Sequence, residues 1–264
     1  MARRARLDAE LVRRGLARSR EQAAELIAAG RVLVGGQTAA KAATAVDAAT
    51  PVVVVDDSGP SYVSRGGHKL AGALDAFGYD PAGRRALDAG ASTGGFTDVL
   101  LQRGASHVVA VDVGYGQLAW SLQSDERVTV IDRTNVRTLT PEVIGTAVDL
   151  VVADLSFIPL GLVLPALVAC CAPGADLLPM VKPQFEVGKE RLPAGGVVRD
   201  PEHRADAVRR VAEQASALGL GVRGVTASPL PGPSGNVEYF LWLRSDAPPL
   251  DEAMLQAAVQ AGPQ

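Results

Sequence analysis

Asp88-Ala-Gly-Ala-Ser-Thr-Gly-Gly95 is the stretch on which the reading of this 264-residue chain turns. An apolar run, Arg85–Asp88, leads into it and a helix-like stretch, Phe96–Arg103, leaves it, so the glycines stand at the carboxyl end of a strand. Glycine at such a place lets backbone N–H groups approach a ligand with no side chain between. The alternation continues outward. Strand-like runs recur at His107–Asp112, Val128–Ile131, Asp149–Asp154 and Leu177–Lys182, and helix-like stretches such as Tyr115–Gln123 and Pro201–Leu218 separate them. That order predicts an α/β domain with a mostly parallel, doubly wound sheet and helices on both faces. A last strand, Val237–Leu243, follows a Pro/Gly-rich loop, and the tail from Ala247 onward carries no clear signal.

Upstream, residues 1–59 read as a small α+β module. Ser19 opens a capping box with Gln22, a short helix runs through Ala28, and Gly30 stands where a helix closes. Strands are expected over Arg31–Val34 and from Val52 to Val55, with Gly35-Gly36 as a turn. The turn-rich Asp56-Asp-Ser-Gly-Pro60 marks the boundary, with residues 60–64 as linker and 65–264 as the large domain. Net charge is −3, but it is unevenly spread: residues 1–41 hold nine Lys/Arg against four acids, and the remainder 17 against 25. A basic head on an acidic body suggests that the head meets a polyanion.

Composition excludes several classes. With 47% hydrophobic and 21% charged residues the chain is neither disordered nor a coiled coil. Its two cysteines, Cys170 and Cys171, are adjacent and cannot build a disulfide framework, which points to a reducing compartment and to packed core residues. No apolar segment follows the Arg-rich N-terminus as in a signal peptide. The longest apolar stretch, Leu160–Val181, is broken by Pro165, Pro173, Gly174, Asp176 and Pro179, so no membrane span is expected. The expected protein is soluble and cytoplasmic, and no metal site is expected.

Three readings compete for the glycine turn. A dinucleotide site needs G-x-G-x-x-G, which the stretch lacks, and Asp88 would oppose a pyrophosphate. Gly90-Ala-Ser92-Thr-Gly94 also matches a hydrolase nucleophile elbow, but only His107 and His203 lie downstream to serve it, and the elbow would follow the first strand of its domain. A turn that merely closes strand onto helix does not account for four small residues beside Asp88 and Asp112. Cofactor binding is the better reading. An acidic Asp88 suits a cation, and S-adenosylmethionine carries an ammonium and a sulfonium. Asp112, at the end of the next strand, can accept from two ribose hydroxyls.

The strand ends also bear on the chemistry. Enzymes that methylate exocyclic amines tend to carry Asp/Asn-Pro-Pro-aromatic at the fourth strand end, where this chain has Asp154-Leu-Ser-Phe157. Ring-carbon methylation needs a cysteine nucleophile, and Cys170 and Cys171 lie away from any strand end. A hydroxyl remains, and its proton needs a base. Asp154 and Lys182 end the fourth and fifth strands, Glu238 lies on the last strand, and Lys69 starts the helix leading into the large domain. Strand ends at the carboxyl edge share one crevice, so these four can meet.

These strings together resemble the TlyA family (haemolysin-A-like) over about residues 3–244. The head, from Arg6-Leu-Asp-Ala-Glu10 through Arg18-Ser-Arg-Glu21, resembles the RNA-binding domain of ribosomal protein S-four. The body resembles the family through Val63-Ser-Arg-Gly-Gly-His-Lys-Leu70, the glycine turn with Phe96-Thr-Asp98, Val111-Asp-Val-Gly-Tyr-Gly-Gln-Leu118, Asp154-Leu-Ser-Phe-Ile158 and Val181-Lys-Pro-Gln-Phe-Glu186. The resemblance implies a Rossmann-like class I methyltransferase of the FtsJ-like kind. It also implies S-adenosyl-L-methionine as cofactor and 2′-O-methylation of cytidine in ribosomal RNA of one or both subunits, the modification that lets capreomycin-type antibiotics bind the ribosome. A Lys-Asp-Lys-Glu tetrad then carries over as Lys69, Asp154, Lys182 and Glu238. Asp88, Gly90, Ser92, Gly94, Gly95 and Phe96 would hold the cofactor, with Asp112 on its ribose and Asp132 and Asn135 toward its adenine. The family commonly has Glu where Asp132 stands, which shortens that contact.

The expected roles follow. Lys182 takes the 2′-hydroxyl proton, Asp154 positions Lys182, and Lys69 and Glu238 fix the attacking ribose. Arg3, Arg4, Arg6, Arg14, Arg18 and Arg20, with Arg13, are placed for phosphates, and Arg65 and Lys189 for RNA near the site. Phe157 and Phe185 are candidates to stack on a flipped cytosine, and Glu186–Asp200 reads as a mobile flap. Two other classes stay open: a membrane-active haemolysin, which needs an apolar or strongly amphipathic segment, and a ribosome assembly factor that binds RNA without catalysis.

Overall fold

The computed structural model describes residues 5–35, 37–47, 50–54, 62–188 and 190–263. Arg3, Arg4 and Lys189 lie outside the described residues, as do most of the expected boundary and the end of the expected Val52–Val55 strand. Two compact units, Met1–Ser61 and Tyr62–Gln264, divide the chain.

In the small unit β1 (Ala5–Arg6) precedes two helices, α1 (Leu7–Arg13) and α2 (Arg20–Ala28), and then β2 (Val32–Val34), β3 (Gln37–Thr38), β4 (Ala45–Val46) and β5 (Val52–Val54). β3, β2 and β5 form one antiparallel sheet, while β1 pairs with β4. Leu7, Leu11, Ala23, Ile27 and Val32 make its core. The Ser19 hydroxyl caps α2 by accepting from the Gln22 N–H at 3.1 Å. The reciprocal bond of the expected capping box runs one residue off: Gln22 Oε1 accepts from the N–H of Arg18. Helix α1 carries no start signal in sequence; Arg6 before it makes no side-chain cap.

The large unit begins with α3 (Arg65–Phe77), so Lys69 lies one turn inside this helix rather than at its start. The order continues β6 (Arg85–Ala89), α4 (Gly95–Gln102), β7 (His107–Val111), α5 (Trp120–Gln123), β8 (Val128–Ile131), α6 (Pro141–Ile144), β9 (Val148–Ala153), α7 (Leu164–Ala169), β10 (Cys171–Val181), α8 (Pro183–Glu186), α9 (Pro201–Ser216), β11 (Gly221–Ala227), β12 (Tyr239–Arg244) and α10 (Glu252–Ala261). The seven strands lie in the order β11-β12-β10-β9-β6-β7-β8. β10, β9, β6, β7 and β8 run parallel, and β12 is antiparallel to both its neighbours. The expected mostly parallel, doubly wound sheet is therefore present.

Period-two alternation sends the two faces of each strand into separate cores. Leu87, Ala89, Val109, Val151 and Leu177 pack with α7, α9 and α10; Ala86, Val108, Leu150, Val152 and Leu178 pack with α3 and α4. Two elements depart from the sequence reading. Only Trp120–Gln123 of the expected Tyr115–Gln123 is helical: Gly116 sits at φ +64°, outside the right-handed helical region, and its N–H is taken by the Asp132 carboxylate. The tail forms α10, whose first turn is capped by the Asp251 carboxylate accepting from the N–H groups of Ala253 and Met254. Cys170 is fully buried and Cys171 partly so. β6 has β7 on one side and β9 on the other, so the chain reverses direction across the sheet there and opens a crevice at the carboxyl ends.

Candidate active site

The glycine turn fills that crevice from β6. Gly90 has φ +85°, and a Cβ on it would come within 2.6 Å of the Asp154 carbonyl and 2.9 Å of Leu155. The end of β9 thus passes directly over the turn, and only hydrogen fits between. Gly90 and Ala91 both donate to the Val111 carbonyl, and the Ser92 N–H donates to Asp112 Oδ2 at 2.8 Å. These donors are engaged within the protein, which is why the turn makes a poor phosphate cradle. The Ser92 hydroxyl lies 3.5 Å from Gln117, and His107 stands at the opposite end of the sheet bonded to Thr129, so the elbow has no histidine there.

Asp88 does not face the crevice. Sharing the face of Ala86, it points under α4, is wholly buried and accepts from the Thr97 hydroxyl at 2.7 Å. Burial, reinforced by the Asp154 and Asp112 carboxylates and opposed by the Thr97 bonds, pushes its carboxyl up to about 7. Its other oxygen has no partner among the described residues. In this structure Asp88 meets Thr97 at the start of α4 and lines neither of the clefts described below.

Two adjoining clefts open beside the turn and share Gly90, Ser92 and Asp154. The larger, ≈ 410 Å³, is walled by Val136, Leu155 and Ile158 with two carboxylates, Asp112 and Asp154, and two amides, Gln117 and Asn135. Asp112 is anchored by two N–H donors, from Ser92 and Gly114, and Asn135 by accepting from Arg137. Asp132 stands aside from the cleft lining and accepts from Gly116. The smaller cleft, ≈ 220 Å³, is walled by Lys69, Arg65, Gly95, Phe96, Pro231 and Pro233. Gly94 contributes packing instead: a Cβ there would run into Leu118 and Leu122.

The four residues expected to act together form two ion pairs. Lys69 Nζ lies 2.5 Å from Glu238 Oε2, and Lys182 Nζ lies 2.6 Å from Asp154 Oδ1. Lys69, Lys182 and Glu238 are all buried, at 7%, 8% and 1% exposure. Asp154 is 25% exposed, so one pair is wholly buried and the other half-open. Desolvating such charges costs more than an apolar pair of the same size would, which makes them more than packing. Glu238 is held closely: a Cβ on Gly232 would fall 2.6 Å from its Oε1. Lys182 Nζ also donates to Ser156 Oγ at 2.9 Å. Ser156 and Glu186, whose Oε1 accepts from the Leu160 N–H at 2.8 Å, lie inside strings that carry the family resemblance, yet no site role was expected of either. Phe157 is 90% exposed with φ +64°, and packs on the half-buried Phe185 at 5.2 Å between ring centroids. A core role for Phe157 is thereby excluded. Asn236 ties the expected flap down by donating to the Gly196 carbonyl and accepting from Val198.

The small unit's arginines divide. Arg6 and Arg20 bracket Asp8 at 3.0 and 2.9 Å, and Arg13 and Arg14 bracket Glu10 at 2.6 and 2.7 Å. These guanidiniums hold both carboxyls well below the usual range, Glu10 at about 2. Arg6, Arg13 and Arg20 are pre-oriented yet more than half exposed, whereas Arg14 is 19% exposed and also donates to the carbonyls of Asp47 and Thr50. Arg14 therefore braces the small unit and is the least exposed of these four arginines. Arg18 is exposed, and Arg65 is the exposed first residue of α3.

Residues 62–245 match the FtsJ-like methyltransferase family and residues 5–50 the S4 domain. The chain is 68% identical to the 16S/23S rRNA (cytidine-2′-O)-methyltransferase TlyA of Mycobacterium tuberculosis over 93% of this chain and 91% of that one. It is 34% identical to the 23S rRNA (cytidine-2′-O)-methyltransferase TlyA of Campylobacter jejuni, over 69% of this chain and 70% of the relative. Among solved structures, a chain from Streptococcus thermophilus described as a hemolysin superposes with a TM-score of 0.76 at 36% identity, covering 98% of this chain and 96% of that one.

Proposed function

This chain belongs to the TlyA family of FtsJ-like methyltransferases, and from that premise we propose that it methylates the 2′-hydroxyl of cytidine in ribosomal RNA, using S-adenosylmethionine. Lys69 and Asp154, one member of each ion pair, both line the cleft beside the glycine turn, and this carries the reading. At 68% identity to an enzyme named for both 16S and 23S rRNA, against 34% to one named for 23S alone, both subunits are the proposed substrates. No helix among the described residues is long and apolar enough to cross a membrane, which gives the haemolysin reading no footing in a helical span.

The larger cleft suits the cofactor's nucleoside: the anchored Asp112 carboxylate has lone pairs left for ribose hydroxyls, and Val136, Leu155 and Ile158 offer apolar walls near Asn135. S-adenosylmethionine, when bound, supplies an electrophilic methyl group on a sulfonium. The protein's own residues do the rest. Lys182, as the neutral amine, takes the proton of the ribose hydroxyl as that oxygen becomes the nucleophile. Asp154, at 2.6 Å, balances the ammonium that results. Lys69, locked by Glu238, places a fixed cation in the smaller cleft where it can hold the ribose or its phosphate. The exposed arginines of the S4 unit add affinity without reading sequence.

The test is methyl transfer from labelled S-adenosylmethionine to purified unmodified ribosomal subunits, followed by mapping of the product. Label on a cytidine 2′-oxygen, with Lys182→Ala slower by ~10²–10⁴-fold, is the expected result. Cofactor binding without transfer to either subunit would favour a non-catalytic RNA-binding assembly factor.

A further inference from the structure

Lys182 is held by a strap. The segment from Asp154 to Leu160 lies against the segment from Lys182 to Glu186, with contacts in matching order. Asp154 and Ser156 meet Lys182, Phe157 meets Phe185, and Leu160 meets Glu186. Phe157, in the middle, sits at φ +64°, a conformation that costs a non-glycine residue of order 1–3 kcal/mol and persists only where surrounding contacts impose it. The far anchor is firm, because Glu186 is 3% exposed and Leu160 is buried. The strap therefore places the hydroxyl of the exposed Ser156 against the buried Lys182 at 2.9 Å.

The valence of nitrogen gives that contact its meaning. A neutral amine has two N–H donors and one lone pair; an ammonium has three donors and none. Asp154 meets Lys182 as an ion pair without a hydrogen bond, and such a contact alone leaves the amine able to rotate about its Cε–Nζ bond and aim its lone pair in more than one direction. Ser156 Oγ at 2.9 Å takes one N–H of Lys182 in a hydrogen bond, while Asp154 at 2.6 Å holds the nitrogen by charge, so the two together restrict rotation about Cε–Nζ and the direction of the lone pair. We propose that Ser156 is a positioning residue for methyl transfer, acting through Lys182 to aim the lone pair that receives the hydroxyl proton. This deepens the functional reading above and rests on Lys182 being the base.

The experiment compares Ser156→Ala and Ser156→Thr with wild type and with Lys182→Ala. It measures single-turnover methylation of ribosomal subunits at saturating substrate, together with KM for both substrates and the melting temperature. Removing one neutral acceptor should lower the maximal rate about three- to tenfold while leaving the KM for the ribosomal subunit and the melting temperature unchanged. Ser156→Thr, which keeps the hydroxyl, should recover most of that rate. An alanine variant with the wild-type rate, beside an inactive Lys182→Ala, overturns the role of Ser156 and leaves the base intact. A slow alanine variant with a lowered melting temperature and no recovery in threonine also overturns it, as a merely structural effect. A fully active Lys182→Ala would instead remove the functional reading on which the inference stands.

Discussion

Gly90→Ala probes the point where strand order and cofactor site meet. At φ +85° a β-carbon costs ~1–2 kcal/mol in backbone conformation alone. The added methyl would then stand 2.6 Å from the Asp154 carbonyl oxygen and 2.9 Å from the Leu155 side chain. Leu155 can turn aside, but the carbonyl belongs to the backbone leaving β9, and forcing it outward is overpacking of the kind that costs ~1–3 kcal/mol. The sum, about 2–5 kcal/mol, corresponds to a melting temperature lower by about 4–20 °C for a unit of about 200 residues. Displacing Asp154 also moves the partner of Lys182, so transfer should fall further than stability. Gly219→Ala is the control, with φ +81° and nothing within 4 Å of the added atom. It should show the conformational cost alone and wild-type cofactor affinity. Thermal melts and titration with S-adenosylmethionine read both effects. If Gly90→Ala melts within a degree or two of Gly219→Ala and binds cofactor normally, the close approach of β9 to the turn is wrong.

Two further outcomes are expected. Burial raises the Glu186 carboxyl from 4.5 to about 6, outweighing the Leu160 N–H bond and the Arg210 charge that oppose it. A raised carboxyl favours folding while protonated, so that support is complete below about pH 4.5 and is lost as pH rises through about 6. Glu186→Gln, which keeps the acceptor for Leu160 and sheds the charge, should therefore gain up to about 2 kcal/mol on the wild type at about pH 8 and nothing near pH 4 in urea unfolding. A difference that does not change with pH would sink this account. In the small unit, Arg14→Ala should destabilise by about 1.5–3 kcal/mol, because it strips the carbonyls of Asp47 and Thr50 and a buried Glu10 of a charged donor. Arg18→Ala should leave the melt unchanged, weaken RNA binding and make its salt slope shallower by about one. Equal effects of the two substitutions on the salt slope would refute the division of roles.

What the sequence by itself determined is local. The glycine turn, Asp112 at the next strand end, Ser19 as a helix cap and the alternation of strands with helices each depend on neighbours within a few residues. The mostly parallel sheet follows from that alternation, and with it the meeting of strand ends at one edge. The expected helix over Tyr115–Gln123 failed for a reason equally local but not visible in periodicity: Gly116 takes a left-handed conformation, φ +64°, that interrupts a right-handed helix. Partnerships were decided by tertiary structure. Glu238 reaches Lys69 across 169 residues only because β12 inserts antiparallel beside β10, with Gly232 bare enough to let the carboxylate lie there. Asp88 and Asp112 both end strands, yet the pleat turns one into the core against Thr97 and leaves the other on the cleft. Arg14 and Arg18 are alike in sequence, and only the fold gives Arg14 a carboxylate and two carbonyls. Ser156 became a partner of Lys182 because Leu160 is fastened to Glu186, a bond between distant segments. A side chain's type is written in the sequence, but its partner depends on which distant backbone the crossovers bring beside it.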